Sequence, residues 1–129
     1  RYTDTGPALR HPLSPCPLYD LGDGRYFLLF HNHDGHFEQW TPYDTSYHRR
    51  PIYACLGEYR PGVRQPLWFS QPKFMMDDDG VALGANGGRC DLAMYASLTR
   101  RQNRVVLWYP DRKYFLLGRN LDKLFLNGL

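Results

Sequence analysis

Hydrophobic and polar positions along the chain fall into short β-rich runs separated by turn residues, with almost no helical spacing. PCPLYDL (15–21) and RYFLLFHNH (25–33) flank a GDG turn and predict a hairpin. A long polar and aromatic loop, HDGHFEQWTPYDTSYH, leads to RRPIYACLGEY (49–59), and after a PGVRQ turn LWFSQPKFMM (67–76) is predicted as a fourth strand. A second long loop, DDDGVALGANGGRC, is rich in Gly and Asp. Beyond it LAMYASLT, RVVLWYP and KYFLLGRNL predict three more strands, joined by RQN and DR. Only the tail, LDKLFLNGL (121–129), has apolar residues at helix-like spacing, and a short helix or an irregular end fits it equally.

Four strands, a long loop and three strands make two consecutive antiparallel meanders. That grouping predicts an all-β fold of β-propeller blades, with a sandwich of the same strands as the alternative. The expected organisation is a lead-in segment (1–12), a four-stranded blade (13–77), a three-stranded blade (78–120) and a C-terminal tail (121–129). In a propeller the first strand of each blade is innermost, and the reading puts Tyr95 on such a strand. Two blades leave faces and edges uncovered, so the chain is expected to pack against further blades or against another copy of itself.

Composition narrows the function classes. Of 129 residues, 43% are hydrophobic and 16% aromatic, with ten Tyr, twelve Gly and ten Pro, which favours a folded chain of strands joined by tight turns. A net charge of +3 is too small and dispersed to argue for nucleic acid. No apolar run approaches bilayer length, so no membrane span is expected. The first residues lack the apolar core of a signal peptide, yet a start at Arg1 rather than Met suggests sequence upstream, and no compartment follows. Cys16, Cys55 and Cys90 have no CxxC spacing and are odd in number, against both a zinc site and a complete disulfide framework. No cofactor is implied.

Three elements in order carry a resemblance: Arg49 opening a run, then Trp68-Phe69-Ser70-Gln71-Pro72 after a turn, then Tyr95-Ala96-Ser97-Leu98 beyond a loop. In this the chain resembles the last third of the sialidase (neuraminidase) superfamily of six-bladed propellers, and looks like the final two blades of a larger bacterial sialidase-like protein. It departs from the family in carrying Ala96 where Ser is usual, and HDGHFEQW only echoes the family's Asp-box turn. The resemblance implies a glycoside hydrolase acting on sialic acid or a related acidic sugar, incomplete as an isolated chain. Arg49 would then be the last of three arginines that grip the substrate carboxylate, because a planar guanidinium holds a carboxylate bidentately. Tyr95 would be the nucleophile, sialidases being an exception to the two-carboxylate scheme. A phenol needs a general base, and neither glutamate of the chain, Glu38 or Glu58, occupies a matching position. The general acid is likewise unassigned, and the isolated chain is expected to show no sialidase turnover.

The remaining candidates are read from the residues. Alternation sends Arg49 and Arg50 to opposite faces, one toward the channel and the other toward solvent or a loop. His31, His33 and His36 in HNHDGH raise a metal site, but spacing favours polar and aromatic residues at a pocket rim or paired with Asp34, with His31 and His33 as rim contacts to a sugar. Asp77 to Gly80 is expected to be a solvated turn rather than a calcium loop. Phe37, Trp40, Tyr43 and Tyr47 offer rings on which a sugar face stacks, Trp40 first among them, and buried packing explains them equally. Two other functions stay open: a non-catalytic carbohydrate-binding propeller module, and a small β protein that oligomerises to complete its fold.

Overall fold

A computed structural model of the chain describes residues 9–12, 14–22, 24–64, 66–92, 95–101 and 104–121. Every regular element in these residues is a strand: β1 (Leu18–Asp20), β2 (Arg25–Phe30), β3 (Ile52–Tyr59), β4 (Leu67–Phe69), β5 (Lys73–Met76), β6 (Ser97–Arg101), β7 (Arg104–Asp111) and β8 (Phe115–Leu121). All pairings are antiparallel. The first sheet runs β1-β2-β3-β4 with β5 also on β3, and the second runs β6-β7-β8. The all-β expectation is met. Among the described residues the two sheets do not close into a propeller, and the expected lead-in (up to residue 8) and tail (from residue 122) lie outside those residues.

Packing follows from alternation along β2 and β3. Phe27, Leu29, Ile52 and Ala54 point to one face and join Leu98, Val105, Leu107 and Leu121 of the second sheet in a shared core. Leu28, Phe30 and Cys55 point the other way, into a smaller cluster with Tyr53, Phe69 and Leu9. This two-sided burial explains why FLLF is apolar at every position rather than at every second one. The second sheet is covered on one side only, and there only in part, since six of the seven residues of β8 are exposed. Its other face leaves Trp108 (40% exposed) and Leu116 (70%) to solvent. Ile52 is 2% exposed, so Ile52→Val should cost about 1 kcal/mol, read as a lower urea midpoint with unchanged slope.

Four strand readings are corrected by the structure. The predicted strand 67–76 is two strands, β4 on residues 57–59 and β5 on 52–54 of β3. Pro72 has no N–H to continue the ladder. At the break Ser70 keeps Leu56 satisfied, its N–H donating to the Leu56 carbonyl (2.8 Å) and its Oγ accepting the Leu56 N–H (3.0 Å). The strand expected from Arg49 begins at Ile52, and that expected through His33 ends at Phe30. The strand expected to carry Tyr95 begins at Ser97, two residues past it; residues 93 and 94 lie outside the described set.

Candidate functional site

Arg49 sits at the centre of a three-residue turn just ahead of β3, in which the Arg50 N–H donates to the His48 carbonyl at 2.8 Å. The Arg49 carbonyl accepts the Leu92 N–H (2.9 Å) and the Ser46 carbonyl accepts the Cys90 N–H (2.7 Å). On its other side the 90–92 segment meets the β7–β8 hairpin: Arg112 N–H donates to the Asp91 carbonyl at 2.8 Å, and Leu92 bridges Asp111. A stretch with no long strand of its own thereby ties the Arg49 turn to the second sheet.

Tyr95 leaves that stretch three residues after Leu92, so its backbone is within about 11 Å of the Arg49-bonded segment. It lies in a turn with φ +59° and is 74% exposed. Arg112 and Lys113, the turn of the β7–β8 hairpin, also have positive φ, 54° and 63°. Lys113 Nζ lies 5.9 Å from the Tyr95 ring centroid, at the outer range of a cation–π contact, and 3.8 Å from Asp91 Oδ2. Such backbone costs on the order of 1 kcal/mol per residue, and residues held in it gather at sites where a side chain must be aimed. Asp91 itself is 2% exposed, and its Oδ1 has no hydrogen-bond partner.

Arg50 has a different role from a ligand-facing arginine. Its guanidinium is buried, donates to both carboxylate oxygens of Asp77 (3.0 and 3.1 Å), lies 3.1 Å from Asp78 Oδ1 and 3.4 Å from Glu38 Oε1, and covers the Phe37 ring at 5.2 Å. From the second sheet Arg112 reaches the same acidic run, pairing with Asp79 and lying 3.9 Å from Asp78 Oδ2. The expected solvated turn at 77–80 holds for Asp79, whose side chain is 69% exposed, and in part for Asp77, at 30%, but not for Asp78. Two arginines, one from each side of the shared core, clasp three successive aspartates, and the Asp78 side chain is only 3% exposed. Burial pushes the Asp78 carboxyl above its ordinary range, against the pull of the Gly80 N–H and the two guanidiniums.

The histidines also move inward. His31 and His33 are 3% and 6% exposed, which places them under the surface rather than at a rim. Rings stack in a column from His11 to His31 (5.5 Å), His33 (6.1 Å) and Phe37 (4.9 Å), with the fully buried His48 edge-on to His33 at 5.7 Å. Burial lowers the basicity of all three column imidazoles, bringing His31 down to about 3. His36 alone pairs with Asp34, at 3.2 Å. No group of three or more His, Cys, Asp or Glu side chains among the described residues is arranged to hold a metal ion. Trp40 is half-buried and stacks on Tyr47 at 4.4 Å, while Tyr43 is 89% exposed. Cys16, Cys55 and Cys90 are all free thiols.

Residues 90–92 are thus hydrogen-bonded to the Arg49 turn and Tyr95 follows three residues on, while Arg50, His31 and His33 are buried. The reading of the sequence missed Lys113, Arg112, Asp91 and His48. The DR of the last hairpin reads as an ordinary turn, and only its lack of Gly or Asn, which positive φ favours, marks it as unusual. Comparison with models of known protein families, with curated proteins and with solved structures finds no match.

Proposed function

We propose that this chain supplies part of a sialidase-like site for sialic acid or a related acidic sugar, its two sheets being neighbouring blades of a six-bladed propeller. Arg49 grips the substrate carboxylate and Tyr95 faces the anomeric carbon. The observation that carries the reading is the presentation of Tyr95: a phenol 74% exposed on a turn of unfavourable φ, beside a lysine, on a stretch hydrogen-bonded to the Arg49 turn. Carboxylate and anomeric carbon are directly bonded in such a sugar, so the groups that hold one and attack the other must lie within a single ring's reach. A bare outer face on the second sheet is what a further blade would cover.

The non-catalytic carbohydrate-binding reading has one observation in its favour for this chain taken alone. Both of its glutamates are engaged by arginines, Glu38 by Arg50 (3.4 Å) and Glu58 by Arg60 (3.1 Å), and a carboxylate beside a guanidinium is a weaker base for a phenol. Titration of the chain with N-acetylneuraminic acid and with galactose tests both readings. Binding of the acidic sugar alone is expected, weakened about tenfold or more in Arg49→Ala, since a charge-assisted hydrogen bond contributes about 1.5–3 kcal/mol. Tyr95→Phe should leave affinity within about twofold, because it removes one hydroxyl and keeps the ring. No aryl sialoside should be cleaved by the chain alone; with the remaining blades present, Tyr95→Phe should abolish cleavage. An unchanged affinity in Arg49→Ala, or no affinity for any acidic sugar, rejects the proposal.

A further inference from the structure

The hydrogen bonds of His31 and His33 converge on the Arg49 turn. A carbonyl only accepts, so each ring nitrogen facing one must carry a proton. His33 Nε2–H donates to the carbonyls of both His48 (2.8 Å) and Arg50 (3.0 Å), the residues either side of Arg49. His31 Nδ1–H donates to the Pro51 carbonyl at 2.9 Å. On His33 the opposite nitrogen is needed as an acceptor, since the Gly35 N–H donates to Nδ1 (3.0 Å); on His31, Nε2 meets the Ser14 hydroxyl at 3.2 Å, a group that can donate or accept. His11 repeats the pattern, Nε2–H donating to the Ser14 carbonyl (3.0 Å) and Nδ1 accepting the His31 N–H (3.4 Å). His33 and His11 are thereby fixed in one neutral tautomer by backbone groups, and the neutral His31 carries its proton on Nδ1.

We infer that His31 and His33 are positioning residues for Arg49: their neutral tautomers hold the three carbonyls around its turn, and protonation releases that turn and with it the grip on an acidic sugar. The ligand half of this inference rests on the function proposed above; the clamp itself does not. A second proton on His33 must sit on Nδ1, where it meets the Gly35 N–H donor head-on. The surroundings offer it little compensation. On the N-terminal segment stands His11, itself facing Arg49; on the loop before β3 stand His48 and Arg50, whose guanidinium covers the Phe37 ring stacked on His33. Asp34 is the carboxylate that favours a charged His33, and it already accepts from the N–H and ring of His36; Glu38 is taken by Arg50. Burial accordingly keeps both rings neutral well below the ordinary imidazole range.

The test follows imidazole 15N signals and amide exchange of the 129-residue chain from about pH 7.5 to about pH 4. At neutral pH His33 should be protonated on Nε2 alone and His31 on Nδ1 alone. As His33 takes up its second proton, protection of the Arg50 and Leu92 amides, bonded to the His48 and Arg49 carbonyls, should fall together by about tenfold. His33→Gln keeps a donor and an acceptor and does not titrate, so it should retain that protection through acid, whereas His33→Leu should lose it at every pH. Should His33→Leu not fold, the wild-type pH series still decides. The opposite tautomer on His33, or protection unaltered as it ionises, overturns the clamp. Affinity for N-acetylneuraminic acid should drop about tenfold over the same step in the wild type and stay level in His33→Gln. A clamp that behaves as expected in a chain binding no acidic sugar at any pH overturns the ligand half and retains the positioning role.

Discussion

Arg50→Ala should destabilise the protein by about 3–5 kcal/mol, the range for removing one partner of a buried ion pair and leaving the other without compensation. The size of the effect rests on Asp78. Asp77 and Glu38 keep 30% and 49% of their side chains in solvent and lose little when the guanidinium goes, but Asp78 keeps 3%. Its remaining cation, Arg112, stands 3.9 Å away, at the edge of ion-pair range. Arg50→Lys should recover only part of the loss, because an ammonium cannot make the bidentate contact to Asp77 or lie flat on Phe37. Adding Asp78→Asn to Arg50→Ala should return some stability, since the uncompensated charge is then gone. Urea denaturation of the four proteins provides the comparison, and a loss below about 1 kcal/mol for Arg50→Ala would mean that the acidic run is solvated after all.

That clasp also shows where the sequence could be read and where it could not. β2, β3 and the β7–β8 hairpin were legible because each is a run of β-branched, aromatic and leucine residues bounded by turn chemistry, information that is local. DDDG, by contrast, reads as three charges that want water. What pairs with them are arginines 27 and 33 residues away, and no window along the chain contains both ends of such a pair. Tyr95 failed for a related reason. LAMYASLT has strand composition throughout, and the left-handed backbone at its tyrosine is announced by no Gly or Asn. Of the candidate site, the residue types could be picked out. The acids that engage Arg50 could not, and neither could the inward turn of HNH, because alternation gives a face but not what covers it.

The buried imidazoles lead to the second large effect: stability should fall by about 3 kcal/mol between pH 7 and pH 4, with His31 as the main source. The sign is fixed by which state binds the extra proton. His31 is lowered to about 3 in the folded chain, against an ordinary value of 6.5, by burial first. Between those two values the unfolded chain is protonated there and the folded chain is not, so acid favours unfolding. The loss begins as pH drops through about 6.5 and levels off near about 3. His33 and His11, lowered in the same direction, add to it. Asp34 and Asp44 act with the same sign but lower down, as pH falls through and below their ordinary 3.8, their carboxylates being favoured in the fold by hydrogen bonds from His36 and Thr41. Asp78 opposes them weakly, its raised carboxyl gaining protons first in the folded state. Thermal or urea unfolding at about pH 7, 5.5 and 4 should show the midpoint falling steadily, and His31→Gln, which keeps a donor toward the Pro51 carbonyl and has no imidazole to protonate, should flatten most of that fall while lowering stability at neutral pH. A midpoint level across this range, or a slope untouched in His31→Gln, would mean that His31 reaches water in solution and is not sealed between His11 and His33.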